Sequence, residues 1–148
     1  MLGQLSHNSK PSGKYYGVIQ FWNRLGLQAR KNKESEHLEH FLSFPDQEAI
    51  GRVFAVDNWL AVQFHEPVQD ISPRLKGSSI QPEVIDPLRI EHFFGDLLAE
   101  FLGIPSVAIA ALENGFVICT DKLTDKPVSS LIRLKPSGKL EALKGGRN

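Results

Sequence analysis

Apolar residues recur every three or four positions in the segment SGKYYGVIQFWNRLGL, near the start of the chain. The recurring positions are Tyr15, Val18, Phe21 and Leu25. They would share one face of an α-helix, so the spacing predicts an amphipathic helix. Aromatic and β-branched residues are common in 15–22, which leaves a strand as the alternative. Gly26 and the basic run after it predict where this element ends.

A second helix is predicted at residues 87–102. Asp86 is a suitable N-cap, Pro87 fits the first helical turn, and Gly103 would end the helix. The apolar face would carry Ile90, Phe93, Phe94, Leu97, Leu98 and Phe101. The polar face would carry Arg89, His92, Asp96 and Glu100.

The segment NKESEHLEHFL, residues 32–42, also has a pattern that predicts a helix. Asn32 is a favourable N-cap, and a glutamate follows in the first turn, where negative charge suits the helix dipole. Leu38, Phe41 and Leu42 would form the apolar stripe. The histidines and glutamates would then lie on its exposed side.

Three pairs of short apolar runs predict β-hairpins. GRVFAVDNWLAVQFHE, residues 51–66, would turn at Asp57–Asn58. SVAIAALENGFVICTDK would turn at Asn114–Gly115, which sets Leu112 opposite Val117. SSLIRLKPSGKLEAL would turn within 136–138. Helices followed by hairpins indicate an α+β fold, with an antiparallel sheet packed by the helix at 87–102 and by N-terminal helices.

The length of 148 residues suits one α+β domain spanning 1–148. We expect residues 1–12 to be loosely ordered. Residues 67–86 contain three prolines and little periodicity, which predicts a long surface loop.

The predicted hairpins are apolar on both faces, whereas one layer of helices can cover only one of them. Phe54, Val56 and Trp59 would lie on the uncovered face. We therefore expect either an interface between two copies of the chain, hence a homodimer, or an enclosed pocket.

His37 and His40 are the best metal-ligand candidates, because both could reach one ion from a helix. Two ligands are fewer than a zinc site needs, and the spacing matches neither a metalloprotease helix nor a di-iron motif. We expect no metal and no cofactor, with these histidines on an exposed surface.

Catalytic chemistry has weak candidates. His65 and Glu66 follow a strand and precede the long loop, so they could form an acid/base pair. With Trp59 and His92 they are the candidates for a small-molecule pocket near 67–86. The single cysteine, Cys119, lies among apolar strand residues, where a thiol behaves as a small hydrophobe. An enzyme is less expected than a binding protein.

Charge is distributed unevenly, although the formal net charge is zero. Residues 1–33 contain six basic and no acidic residues, 34–121 contain four basic and fifteen acidic residues, and 122–148 contain seven basic and two acidic residues. The basic ends could pack around an acidic middle, or they could join into one cationic surface.

Basic residues in 10–33 alternate with Tyr15, Tyr16, Phe21 and Trp22, a mixture found in nucleic-acid-binding surfaces. The alternative, which we prefer, is that these aromatics belong to the core. The acidic middle block would also repel a polyanion.

We find neither a secretory signal nor an apolar run long enough to span a membrane, and one cysteine fits a reducing compartment. These features predict a cytoplasmic protein that acts by binding, as a homodimer or with another protein, without a membrane or a cofactor. Such a domain is compatible with a small bacterial accessory protein, for example an immunity or adaptor protein.

Overall fold

The computed structural model describes residues 12–56, 59–77, 87–119, 132–134 and 140–142. In chain order the elements are α1 (Ser12–Arg24), β1 (Gln28–Lys31), β2 (Glu39–Ser43), β3 (Ala49–Val56), β4 (Trp59–Phe64), α2 (Val68–Ile71), α3 (Pro87–Leu102), β5 (Ile109–Leu112), β6 (Gly115–Cys119), β7 (Ile132–Leu134) and β8 (Leu140–Ala142). Helices combined with an antiparallel sheet confirm the predicted α+β fold.

Within these described residues, six strands form one sheet in the order β1-β2-β3-β4-β6-β5. Every neighbouring pair is antiparallel. The strands β7 and β8 form a separate antiparallel pair, as predicted. The strands β1 and β5 are therefore the outer strands of the large sheet.

The helix α1 confirms the first periodic pattern and supplies the centre of the core. Tyr15, Val18 and Trp22 are fully buried. The Trp22 ring lies 5.1 Å from that of Phe64 and 6.0 Å from that of Phe116, measured between ring centroids. The helices α1 and α3 contact each other and pack on the same face of the sheet, which we call the helix face.

The helix α3 has the predicted bounds. Gly103, at φ +72°, follows its last turn in a conformation that glycine adopts easily. One residue departs from the predicted apolar face, since Phe93 is 43% exposed. Glu91, which the prediction placed on neither face, is buried. The predicted cap at Asp86 lies outside the described residues.

The helix predicted at 32–42 is wrong. Residues 28–31 and 39–43 are strands, joined by a turn in which side chains bond to nearby backbone. Asn32 Oδ1 accepts a hydrogen bond from the N–H of Glu34, and Ser35 Oγ accepts one from the N–H of His37. Such local bonds compete with helix formation. The same apolar residues also fit the alternation of a strand. Pairing with the strands on either side favours this strand over the helix.

The first predicted hairpin is confirmed in its strands and in its faces. Val53 pairs with Val62 and Ala55 with Leu60 on the helix face. Phe54 pairs with Ala61 and Val56 with Trp59 on the opposite side, which we call the second face. The predicted turn at Asp57–Asn58 lies outside the described residues, as do 136–138 and 1–11.

The second hairpin forms, but its turn differs from the prediction. Leu112 pairs with Gly115, so the turn residues are Glu113 and Asn114. Asn114 is fixed by β4, because its carbonyl oxygen accepts the N–H of Phe64 at 2.7 Å and its Nδ2 donates to the carbonyl of Phe64. The register differs by two residues, which leaves the predicted faces unchanged.

The predicted long loop at 67–86 is partly helical. The helix α2 and the 3₁₀ turn Ser72–Arg74 occupy its first part. Val68, Ile71 and Leu75 are buried there, so this part packs against the core rather than forming an open loop. Residues 78–86 lie outside the described part. Among the described helices, none has both the length and the apolar character that crossing a bilayer requires.

Candidate functional site

Polar side chains meet on the second face at the end of the sheet near Asn114. The pairing registers place Phe41, Arg52, Gln63 and Gly115 in one row across β2, β3, β4 and β6. Side chains alternate between the two faces of a strand, so this row shares a face with the neighbouring row that contains Glu39 and Phe54. The two rows form the floor of a candidate binding site.

Arg52 organises this floor. Its Nη1 donates to Glu39 Oε2 at 3.1 Å, while Nε and Nη2 donate to Gln63 Oε1 at 3.2 and 3.0 Å. The guanidinium also lies over the Phe54 ring, 4.3 Å from its centroid. Three hydrogen bonds and one ring contact therefore fix its orientation.

Glu39 is a buried carboxylate, with its side chain 6% exposed, and it pairs with the partly exposed Arg52. Its second oxygen, Oε1, accepts a hydrogen bond from Asn32 Nδ2 at 3.2 Å. Removing a carboxylate from water is costly unless its charge and lone pairs are matched. Arg52 and Asn32 provide that match, so the ion pair is a fixed part of the floor.

A cleft of about 570 Å³ opens above these side chains. Its lining includes Asn32, Glu39, Phe41, Arg52, Gln63 and His65. Small-molecule sites typically have volumes of about 300–1,000 Å³. Phe41 and Phe64 add apolar surface to the polar lining residues, as in sites that fix both the position and the orientation of a ligand.

Hydrogen-bond donors are in excess in this cleft. A guanidinium has five N–H groups, and Arg52 uses three of them within the described part of the chain. Because arginine only donates, Gln63 must turn its oxygen towards Arg52, which leaves its NH₂ group for another partner. Asn32 uses one of its two amide hydrogens on Glu39. The cleft therefore suits a group with acceptor oxygens.

The structure separates the predicted pocket residues. Trp59 begins β4 and His65 follows its end, so a strand length of about 20 Å lies between them. His65 lines the cleft, while Glu66 is exposed beside it. His92 is exposed on α3. Of the four candidates, the structure brings only His65 to the cleft.

The predicted interface residues lie together on the second face. Phe54 is 3% exposed, because the chain itself covers it, partly with Arg52. Val56 and Trp59 are partly exposed and pair with each other across β3 and β4. Cys119, opposite Trp59, is buried in β6 as predicted.

The two metal-ligand candidates have different environments. His37 is exposed in the turn between β1 and β2. His40, in β2, is partly buried, with Nδ1 2.9 Å from the hydroxyl of Tyr15. The described residues contain no group of three or more His, Cys, Asp or Glu side chains that could hold a metal ion.

The tautomer of His40 follows from this contact. The Tyr15 hydroxyl donates its only proton to the carbonyl oxygen of Val53 at 3.1 Å. His40 must therefore donate from Nδ1–H to the tyrosine oxygen, which makes Nδ1 the protonated nitrogen of the neutral ring. His40 is thus a structural histidine, in contrast to the exposed surface residue that the sequence predicted.

Acid should destabilise the protein through His40. Burial, and then the charge of Lys31, lower the pKa of His40 in the folded state. The unfolded chain then binds the proton more readily, so this contribution to stability is lost as pH falls below about 6.5. We expect the melting temperature to fall between pH 8 and pH 5, and to fall less in His40→Gln. His37→Gln is the matched control, and its melting temperature should fall as much as that of the wild type. An equal fall in all three proteins would contradict the role of His40.

Three of the four aromatic residues near the N-terminus belong to the core. Tyr15, Phe21 and Trp22 are all buried. Tyr16 is exposed, but it packs its edge on Tyr15. The structure therefore favours the core interpretation of these residues.

Sequence reasoning missed Glu39, Arg52 and Gln63 as site residues. One signal was present, since Arg52 interrupts the apolar run AIGRVFAV. A charge within such a strand needs a partner if it is buried. The sequence does not reveal its partner, because the pattern of 32–42 predicts a helix and so places Glu39 away from the sheet.

Comparison with known proteins found no matching family model, no matching curated protein and no matching solved structure. The geometry of the cleft therefore provides the basis for a functional conclusion.

Proposed function

We propose that this protein acts by non-catalytic binding, and that the cleft over Glu39, Arg52 and Gln63 holds a ligand group with acceptor oxygens. The observation that carries this proposal is the excess of fixed donors beneath a cleft of about 570 Å³. A carboxylate, an amide carbonyl or a sugar hydroxyl would each offer suitable acceptors. The ligand could be a small molecule or a side chain of a protein partner.

Rigidity supports recognition rather than proton transfer. Glu39 and Arg52 neutralise each other, and both lie on strands in the middle of the sheet. Donors held on strands lose little freedom when a ligand binds, which favours affinity and selectivity. The Phe41 ring adds an apolar surface to the lining, which would help to orient a bound ligand.

Gly115 keeps this end of the sheet closely packed. A methyl group on Gly115 would overlap the carbonyl oxygen of Val62 in β4. The absence of a side chain therefore lets β4 and β6 pair beside Gln63. The floor of the cleft depends on this close approach.

A binding comparison tests the proposal. The probes are benzamide and benzoate, which present acceptor oxygens, and benzamidine, which as a cation presents only donors. We expect the first two to bind with Kd on the order of 1 mM, a typical strength for ligands of this size. Benzamidine should bind at least about tenfold more weakly, because each new donor would face an existing donor.

The variant Gln63→Leu removes the cleft amide at similar size. It should weaken benzamide binding about tenfold, the effect expected for losing a buried hydrogen bond. The matched control Gln47→Leu changes an exposed glutamine in the turn before β3 and should bind as the wild type does. Equal affinity for all three probes, or no effect of Gln63→Leu, would contradict the proposal.

Self-association is a second proposal, carried by the partly exposed Val56–Trp59 pair on the second face. An interface of about 800 Å² per subunit would hold a dimer. We expect light scattering to give twice the mass of 16.5 kDa. Trp59→Asp should shift the protein towards the monomer, whereas Phe93→Asp, at an exposed aromatic on α3, should not. A wild-type protein that stays monomeric at millimolar concentration would contradict this proposal.

A cytoplasmic location is proposed on the basis of the single cysteine. Cys119 is buried in β6, where it packs as a small apolar side chain. A chain with one cysteine cannot form an internal disulfide, so an oxidising compartment would not stabilise it in that way.

A further inference from the structure

We infer that the outer edge of β1 is a docking site for an extended acidic segment of a partner protein, which would add a strand to the sheet. The site is separate from the cleft, since it uses the backbone of β1 rather than the side chains of β2, β3 and β4. Three features of β1 support this site: its position at the edge of the sheet, the direction of its backbone hydrogen bonds and its positive charge.

β1 is the outermost strand on its side of the sheet, within the described part of the chain. Gln28, Arg30 and Lys31 are exposed, and Ala29 is half-buried. The strand pairs with β2 along all four residues, so its backbone is held extended. An edge of this kind is a template for another strand.

The phase of the ladder shows which backbone groups are available. Asn32 N–H donates to the carbonyl of Glu39 at 2.9 Å, so residue 32 faces β2. In an antiparallel ladder such bonds recur at every second residue, which turns Arg30 and Gln28 towards β2 as well. Ala29 and Lys31 therefore direct their N–H and C=O groups outwards. An added strand could form up to four backbone hydrogen bonds with them.

The positive charge of β1 favours an acidic partner segment. Arg30 and Lys31 are adjacent and project to opposite faces of the sheet, with Lys33 just beyond them. An acidic residue on each face of an added strand would lie beside one of these cations, a favourable cross-strand arrangement. Two β1 strands from two copies of the chain would instead place cations against cations. The edge therefore suits an acidic partner and disfavours symmetric pairing with itself.

A shallow surface depression lies at the Gln28 end of β1. Its lining includes Gly26, Leu27, Gln28, Ala29 and Pro45. An added strand that runs past Gln28 would place a side chain over it. Positional specificity in strand addition commonly comes from such side-chain sites, while backbone bonds provide affinity.

The experiment uses a capped peptide, Thr-Val-Glu-Glu-Val-Thr, and two versions of it that are N-methylated at alternate residues. In a strand only alternate N–H groups face the neighbour, so one N-methylated version should lose binding and the other should keep it. On binding of the parent peptide, hydrogen exchange at the amides of Ala29 and Lys31 should slow, while exchange at Arg30 should not change.

Two variants test the edge itself. Ala29→Pro removes an outward N–H without removing a bond to β2, and proline is accepted at such edge positions. It should weaken peptide binding about tenfold, as expected for one lost hydrogen bond. Arg30→Glu/Lys31→Glu should weaken binding by at least about tenfold at low salt. The control Arg89→Glu reverses an exposed charge on α3 and should change affinity less than about twofold.

Equal binding of both N-methylated peptides would show attraction of a polyanion without strand addition, and would overturn the inference. So would unchanged binding in Ala29→Pro, or no binding of the parent peptide. Dimerisation of the protein that is abolished by Ala29→Pro would assign the edge to a second copy of this chain, and would also overturn it. Failure of benzamide to bind the cleft would leave the edge unaffected, which separates the two proposals.

Discussion

Replacing Arg52 by alanine should lower the free energy of unfolding by about 3 kcal/mol, the low end of the range for breaking a buried ion pair. Glu39 would remain buried with only Asn32 as a hydrogen-bond partner among the described residues. Gln63 would lose both of the hydrogen bonds that Arg52 donates to it, and the Phe54 ring would lose the guanidinium that lies over it. The low end applies because the Arg52 side chain is 26% exposed, so water can partly replace it.

Urea unfolding of three variants distinguishes this cause from a general loss of charge. Arg89→Ala, at an exposed position on α3, should change stability by less than about 0.5 kcal/mol. Glu39→Gln/Arg52→Met removes both charges and should be more stable than Arg52→Ala, because no unpaired carboxylate is left in the interior. If Arg52→Ala proved no worse than Arg89→Ala, the ion pair would not be a fixed part of the fold.

Truncating Trp22 to alanine should cost about 4 kcal/mol, within the range for large aromatic side chains in a core. Trp22 is fully buried between the two main helices and the sheet. Its ring lies within 6.2 Å of four phenylalanine rings, centroid to centroid: Phe21, Phe64, Phe94 and Phe116. A cavity at this position would loosen both helices from the sheet.

Trp22→Phe should cost only about 1 kcal/mol, although it also removes volume. Trp22 Nε1 is a buried atom for which the described structure provides no hydrogen-bond partner. Phenylalanine removes this unpaired donor, and that gain offsets part of the lost packing. Phe93→Ala, at a ring 43% exposed, is the control and should cost less than about 1 kcal/mol. Equal costs for Trp22→Ala and Phe93→Ala, measured by urea unfolding, would contradict this description of the core.

The sequence predicted the fold where one local pattern agreed with the tertiary structure. The helices α1 and α3 were predicted because their apolar spacing indicated helices and the glycines that follow them, Gly26 and Gly103, indicated where they end. The hairpin from β3 to β4 was found because both of its strands are strongly apolar. In each case, local preference and burial favour the same structure.

The prediction from sequence was wrong where a helical period and a strand period fitted the same residues. Leu38, Phe41 and Leu42 match a helix stripe, yet Leu42 faces the core from a strand and Phe41 faces the opposite side. Pairing with β1 and β3 fixed the outcome, and no local pattern can show such pairing. The same failure hid the cleft, because Glu39, Arg52 and Gln63 come together only through the register of three strands.

The side-chain amide of Gln63 offers the most direct measurement of whether the cleft binds ligands. Its NH₂ signals in a ¹⁵N–¹H NMR spectrum can be followed while benzamide is added, together with the Nε–H signal of Arg52. Binding in the cleft predicts that both signals shift with one saturation curve, while the NH₂ signals of the exposed Gln47 remain in place. Saturable binding that leaves the Gln63 and Arg52 signals unchanged, or no saturable binding of benzamide or benzoate, would contradict the proposal that this cleft is the binding site.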